Sequence, residues 1–462
     1  MVRYLLPTIT LVVLFLFFAP SLAYAQKRSS GSLDTTEGAV AERVRDLELQ
    51  VQELTKNATQ DVAPNIESTP EMLVDRLAAK HPNAKLTGFF QLDWGFYSQD
   101  EANRATLGDI QDGGGFRRAR VAAVGNVTER TSYIMEFDFA QAQPRFVDVW
   151  VQFEKTPLGN VRIGRFREPF GMTELTSVRD LPFLERPLVV TSNLFLRQTG
   201  IMLSDSDEHE RLNWSVSGFR YLSDAFGGVY GDNGGYGLAT RFSCLPLDQG
   251  ERLVHLGFDY SYKDPARDLV QLANFNEFFL GQNPLLGADG LSVLPLARVP
   301  LFVDTGQIAA QSSQAVNLEA AAARGNMLLQ SEVRWATVED VNGTVNTFPG
   351  AYLHLRYLLT GETIPYNRSA GVFGRVKPRC PANVMCGDWG AWEIAARVSY
   401  IDLNGLNLPG PGRRLTDYTA GLNWYLNNFT KMQFNWIHSE LDDPTIGPST
   451  ADTFAMRCQL DF

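Results

Sequence analysis

Four charged residues at two-residue spacing carry the chemistry most open to view in this chain: Arg118 and Arg120 in FRRARVAAV, and Glu136 and Asp138 in SYIMEFDFA. Guanidiniums and carboxylates set at such spacing act electrostatically, either by pairing with one another or by attracting mobile ions. If each run is a strand, Ala119, Val121 and Ala123 share one face of the first, and Tyr133, Met135, Phe137 and Phe139 share one face of the second. The opposite faces then carry the four charges. A turn centred on Thr128 predicts an antiparallel register with Arg120 opposite Glu136 and Arg118 opposite Asp138. Arginines paired in this way are partly neutralised, so a bare count of them overstates any pull on anions. The plainer reading is that the four charges only satisfy one another.

Reaction chemistry finds no comparable footing. The acidic run LSDSDEHER holds Asp205, Asp207, Glu208, His209 and Glu210, but no nucleophile, base and orienting group recur at a recognisable spacing, and it reads as a solvated loop. GGVYGDNGG at residues 227–235 lacks the Lys-Ser or Lys-Thr that a phosphate-binding loop needs, and reads as a turn. Cys380 and Cys386 lie in the Pro-bearing loop RCPANVMC, which offers too few ligands for a metal; in an oxidising compartment they could close a small disulfide loop. Neither enzyme activity, nor a cofactor, nor a metal site is expected. A net charge of -11 argues against nucleic acid as a partner.

The elements that must position the charges are strands. In the last ten residues Phe454, Met456, Cys458, Leu460 and Phe462 alternate with Thr453, Ala455, Arg457, Gln459 and Asp461. Leu86, Phe90, Leu92, Trp94 and Phe96 alternate with Thr87, Phe89, Gln91 and Asp93, and similar runs recur near residues 254–262, 353–359, 392–400, 418–426 and 432–436. One apolar and one polar or small face per strand, with aromatic residues at strand ends, fits a barrel whose outside meets lipid and whose inside is wet. Residues 84–462 leave room for about sixteen antiparallel strands. Long loops are expected at Asp224–Gly235 and Leu280–Ala323.

The front of the chain is different. Arg3, an apolar run from Tyr4 to Ala19, and Ala23-Tyr24-Ala25 predict a secretory signal over residues 1–25, the other reading being an uncleaved anchor. Residues 26–83 form a polar extension. Val40, Val44, Leu47, Val51 and Leu54 follow heptad spacing and predict a short oligomeric coiled coil, or else an amphipathic helix packed on its own chain. A second helix starts at Thr69-Pro70-Glu71 and leads to the first strand.

A family resemblance rests on LTGFFQLDWG (86–95), GFRRAR (115–120), VRIGRFREPFGMTE (161–174), FLERP (183–187), VHLGFDYSYKD (254–264), YLLTGETIPY (357–366), WGAWEIAARVSY (389–400) and GLNWYLNN (421–428). Collinear over nearly all of residues 84–462, these resemble the phosphate-selective porin O and P family. The resemblance implies a sixteen-stranded, homotrimeric barrel in outer-membrane lipid, with an inward-folded loop and cations that guide small anionic solutes such as phosphate by passive diffusion. It matches Arg117 and Arg118 to paired constriction arginines, Arg186 to a channel arginine, and places Arg165 in a shared GRF motif. Arg120 joins these as pore-lining, and Glu136 and Asp138 are the counter-charges. Two positions depart: Phe89 stands where an arginine is expected, and Glu174 where a lysine is. Arg179 stands for a second loop lysine, and Asp148 lies beside the expected carboxylate position at Val147. The alternative is a general, weakly selective porin whose residues 26–83 tether the envelope at the cell wall.

Overall fold

The computed structural model describes residues 81–140, 144–191, 197–221, 226–228, 235–280, 299–383 and 387–462. The export signal, the heptad seam, the helix from Thr69 and Cys386, and with it the expected disulfide, lie outside these residues.

Sixteen wall strands follow in chain order among the described residues: β1 (Lys85–Gln99), β2 (Gly113–Thr128), β3 (Thr131–Asp138), β4 (Arg145–Thr156), β5 (Gly159–Arg167), β6 (Arg197–Ser206), β7 (Leu212–Arg220) and β8 (Tyr236–Gln249). After them come β9 (Arg252–Lys263), β10 (Ile308–Arg324), β11 (Met327–Asp340), β12 (Val345–Leu358), β13 (Ala391–Asp402), β14 (Arg414–Tyr425), β15 (Thr430–Asp443) and β16 (Gly447–Asp461). Each pairs antiparallel with its neighbour, and β16 returns to β1 from Phe89↔Asp461 to Gln99↔Ala451, which closes the sheet.

The two-residue period sets the faces. On β16 and at Phe462 just after it, Phe454 and Phe462 are exposed outward while Arg457 and Asp461 are buried inside. Asp93, Arg457, Gln433, Asn423 and Glu393 stand side by side on five neighbouring strands as one inward rung. Among the described residues, closure leaves the barrel wall no free edge, as a wall in lipid requires. One expectation fails: residues 308–323, read as loop, belong to the long strand β10. Its sequence IAAQSSQAVNLEAAAAR is built of Ala, Ser and Gln, which carry little strand signal, so its alternation was faint.

The seam is tight. Gly88 exchanges backbone hydrogen bonds of 3.0 and 2.9 Å with Phe462. A Cβ at Gly88 would fall 2.4 Å from the Arg120 carbonyl oxygen and 2.5 Å from the Phe462 ring. Gly88→Val is therefore expected to lose roughly 1–3 kcal/mol by overpacking, read as an earlier loss of the folded band on heating in detergent gels.

Among the described residues, three segments fold into the barrel. The β5–β6 connection carries the short helices α2 (Met172–Leu175) and α3 (Leu188–Thr191), numbered after α1 (Glu101–Leu107) in the β1–β2 loop. Its backbone carbonyls need donors in the dry interior, and inward wall side chains supply them. Gln91 donates to the Val178 carbonyl (3.3 Å), Lys431 and Gln433 to that of Leu181 (3.0 and 3.1 Å), Asn423 to that of Pro182 (2.8 Å), and Arg397 to that of Glu185 (3.1 Å). The β9–β10 connection buries Phe275, Phe279, Phe302 and Val303 against Leu188 of α3. From the opposite end, the β12–β13 connection packs Ile364, Val372, Phe373 and Val376 with Leu358 and Tyr425.

Candidate functional site: the lumen constriction

Arg117 and Arg118 are adjacent, so a regular strand would send them to opposite faces. The β1–β2 register prevents this. Gln91 faces Arg118 and Leu92 faces Phe116, so Arg117 is an extra residue in a bulge. Both guanidiniums reach Glu185 of the inward loop, Arg117 Nε at 2.9 Å from Oε1 and Arg118 Nη2 at 3.0 Å from Oε2. Arg457 joins them at 3.1 Å and also holds Asp93 at 2.7 Å. Burial pushes the Glu185 carboxyl up, but Arg117, Arg118 and Arg457 outweigh it and hold it well below the usual carboxylate range. Arg117 also stacks over the Phe279 ring, 4.3 Å from its centroid.

The charged hairpin pairs in a different register from the one expected. Arg120 lies opposite Asp138 and Ala122 opposite Glu136, because the chain reverses at Glu129 and Arg130 between Thr128 and Thr131. The Thr128 hydroxyl donates to that of Thr131 across this turn (2.9 Å). Arg120 Nε binds Asp138 at 2.9 Å, and its Nη1 lies 3.7 Å from Glu136. Arg118 is instead taken by Glu185, while Arg145 is 3.7 Å from Asp138. Glu136 and Asp138 are therefore counter-charges to Arg120, with Arg145 as the second cation.

Arg186 is buried and turned into its own loop. It lies 3.2 Å from Glu174 and donates to the carbonyls of Thr173, Glu174 and Thr176 at 3.0, 3.0 and 2.8 Å. Arg167 approaches Glu174 from β5 at 3.6 Å. Phe89 faces inward and is buried, with the guanidiniums of Arg120 and Arg179 each 5.5 Å from its ring centroid. Asp148 binds Arg197 at 2.8 Å. A second bulge, between Met135↔Val149 and Phe137↔Phe146, shifts the β3–β4 register beside it.

Arg165 is the correction in the pore-lining set. It stands in one cross-strand row with Met135, Val149 and Thr199, of which Met135 is exposed on the outer face. Thr199 donates there to the Gly227 carbonyl of the β7–β8 connection (2.9 Å), and Phe226 packs edge-on against Phe146. A shared motif placed Arg165 among the pore-lining residues; its cross-strand row with the exposed Met135 and its approach to Gly227 place it on the outer face. Arg145, Arg167 and Arg197 were missed. Arg145 and Arg197 begin strands, where alternation has too few residues to be counted, and Arg167 ends one.

A closed barrel of sixteen antiparallel strands with a lumen narrowed by an inward loop and lined by ion pairs defines an outer-membrane porin. The family profile of "phosphate-selective porin O and P" matches residues 85–462, and the chain belongs to that family. Porin O of Pseudomonas aeruginosa is 24% identical over 443 residues, covering 90% of this chain and 97% of its own. An uncharacterised protein of Caulobacter vibrioides is 26% identical over 332 residues, which are 70% of this chain and 62% of that one. Among solved structures, an anion-selective porin from Comamonas acidovorans shares the fold at a TM-score of 0.50 and 13% identity, over 82% of this chain and 99% of that one.

Proposed function

We propose that this porin lets small hydrophilic solutes diffuse passively across the outer membrane and favours anions, phosphate among them, only weakly. The observation that supports this is the charge balance of the constriction. Arg117, Arg118, Arg120, Arg145, Arg167, Arg186, Arg197 and Arg457 meet Asp93, Glu136, Asp138, Asp148, Glu174 and Glu185, eight cations against six carboxylates, a surplus of two. Each paired guanidinium offers a passing anion only part of its field. Phe89 adds no charge, although it steadies Arg120 and Arg179 through its ring face. The reading takes the barrel as a homotrimer in outer-membrane lipid, exported with residues 1–25 as its signal.

The test is the reversal potential of purified full-length protein in planar bilayers under a salt gradient, in potassium chloride and then in potassium phosphate. A surplus of two screened charges predicts an anion-to-cation permeability ratio between about 2 and 10. A cation-selective potential in both salts contradicts the proposal.

A further inference from the structure

Between the inward loop and strands β11–β13 lies a cavity of ≈ 20 Å³ whose lining includes Thr173, Phe183, Gln330, His354, Arg356 and Arg397. Arg397 is fully engaged: its Nε donates to Glu277 at 2.8 Å, its Nη1 to the Glu185 carbonyl, and its plane stacks on Phe183. Arg356 and His354 are not. Arg356 is 3% exposed and its Nη2 has no hydrogen-bond partner among the described residues. His354 is 4% exposed, and neither of its ring nitrogens has a partner among them. The imidazole is fixed in place between Tyr352, stacked at 5.5 Å, and Phe183, tilted at 5.9 Å.

Buried donors without acceptors are costly, and native structures rarely leave them empty-handed. Arg356 forms one ion pair among the described residues, with Glu393, which also accepts from Asn423 (3.0 Å) and Tyr425 (2.6 Å), so its charge is answered only in part. Of the carboxylates on the cavity wall, Glu185 is already held by three guanidiniums, and Asp180 is shared among Lys431, Arg179, Arg375 and Arg356. Size then selects the ligand. A cavity needs roughly 10–15 Å³ to hold one water, so ≈ 20 Å³ matches one water-sized or slightly larger particle better than a tetrahedral oxyanion.

We propose that this cavity is a binding site for a single halide ion, chloride in the living cell, held by Arg356 Nη2 and the N–H of His354. The site lies beside the constriction and is distinct from the ladder of ion pairs along β2–β6. It does not depend on the channel preferring anions, because occupancy is read in the protein itself and not in its current.

The test uses crystals of the full-length protein grown in sodium bromide, with anomalous diffraction at the bromine edge. One anomalous peak is expected in the cavity, against Arg356 and His354, and is expected to vanish in His354→Phe, which keeps a planar ring and removes the donor. Thermal unfolding provides a second readout. At equal ionic strength, the midpoint is expected to be higher in chloride than in gluconate or phosphate by on the order of 3 °C, a difference absent in His354→Phe. A cavity without an anomalous peak in saturating bromide overturns the proposal and makes the occupant a water. Equal midpoints in chloride and gluconate, or a phosphate effect as large as that of chloride, overturn it as well.

Discussion

Glu185→Gln is expected to cost about 3–5 kcal/mol of stability, the penalty for removing one partner from a buried ion cluster. Glutamine keeps the shape and one acceptor oxygen; it removes the charge and turns the other oxygen, which also accepts from the guanidiniums, into a donor. Three guanidiniums, those of Arg117, Arg118 and Arg457, converge on that carboxylate within 3.1 Å. Asp93 remains beside Arg457 after the substitution. Arg117 and Arg118 have no other ion-pair partner among the described residues, so they would repel one another at a site from which water is excluded. The loop is then expected to draw back from β2, and the measurement is the heating temperature at which the folded barrel is lost in detergent gels, with Glu185→Asp as the size control. Acid should act in the same direction. A carboxyl held below its unfolded value stabilises the fold above that unfolded value and loses the contribution as pH falls through the folded one. Below about pH 4 the wild type should therefore lose stability more steeply than Glu185→Gln. Equal midpoints for the two proteins at neutral pH would show that the cluster is not what pins the loop.

Glu174→Lys should change ion selectivity more than any other single substitution in the constriction. The carboxylate lies between Arg186 at 3.2 Å and Arg167 at 3.6 Å. Replacing it with an ammonium alters the local charge by two units. Two units of surplus give a ratio of about 2 to 10 in the wild type, so two more should move the ratio toward anions by about the same factor again. Glu174→Gln changes one unit and should move it by roughly 1.5- to 3-fold. Reversal potentials of both variants against wild type decide the matter. Because Arg186 also grips the carbonyls of Thr173, Glu174 and Thr176, the loop keeps most of its anchors in either variant. A potential unchanged in Glu174→Lys would place the selective part of the pathway elsewhere.

Much of the wall was legible because lipid on one side and charge on the other write a strong two-residue signal, as in β1 and β16. The signal fades where the outward residues are Ala and Gln, and β10 was lost for that reason. Register is less legible than face. The reversal point of the β2–β3 hairpin lies one position beyond Thr128, and since each shift of the turn moves both partners, that sufficed to exchange Glu136 for Asp138 opposite Arg120. The inward set was legible only where regular alternation held. Arg117 faces inward because of a bulge that no periodicity announces, and Arg165 faces outward in spite of its motif. Glu185 was passed over for its neighbour Arg186, since loop residues have no period and only the folded loop reveals which of the two meets the wall.

The seam between β1 and β16 has a bearing on how the barrel comes to exist. Fifteen of the sixteen strand pairings join consecutive strands, several through tight reversals such as Gly250-Glu251 and Gly325-Asn326, and these can form early as local hairpins. The sixteenth joins Phe89 to Asp461. Bringing such distant positions together costs about 5 kcal/mol of chain entropy, concentrated in a single event. Until that event the sheet has two bare edges with unpaired backbone groups, which invite other chains and cannot be left in hydrocarbon. Assembly kinetics should therefore show one late closing step, and substitutions at the seam, Gly88 foremost, should slow it while leaving the earlier hairpins untouched.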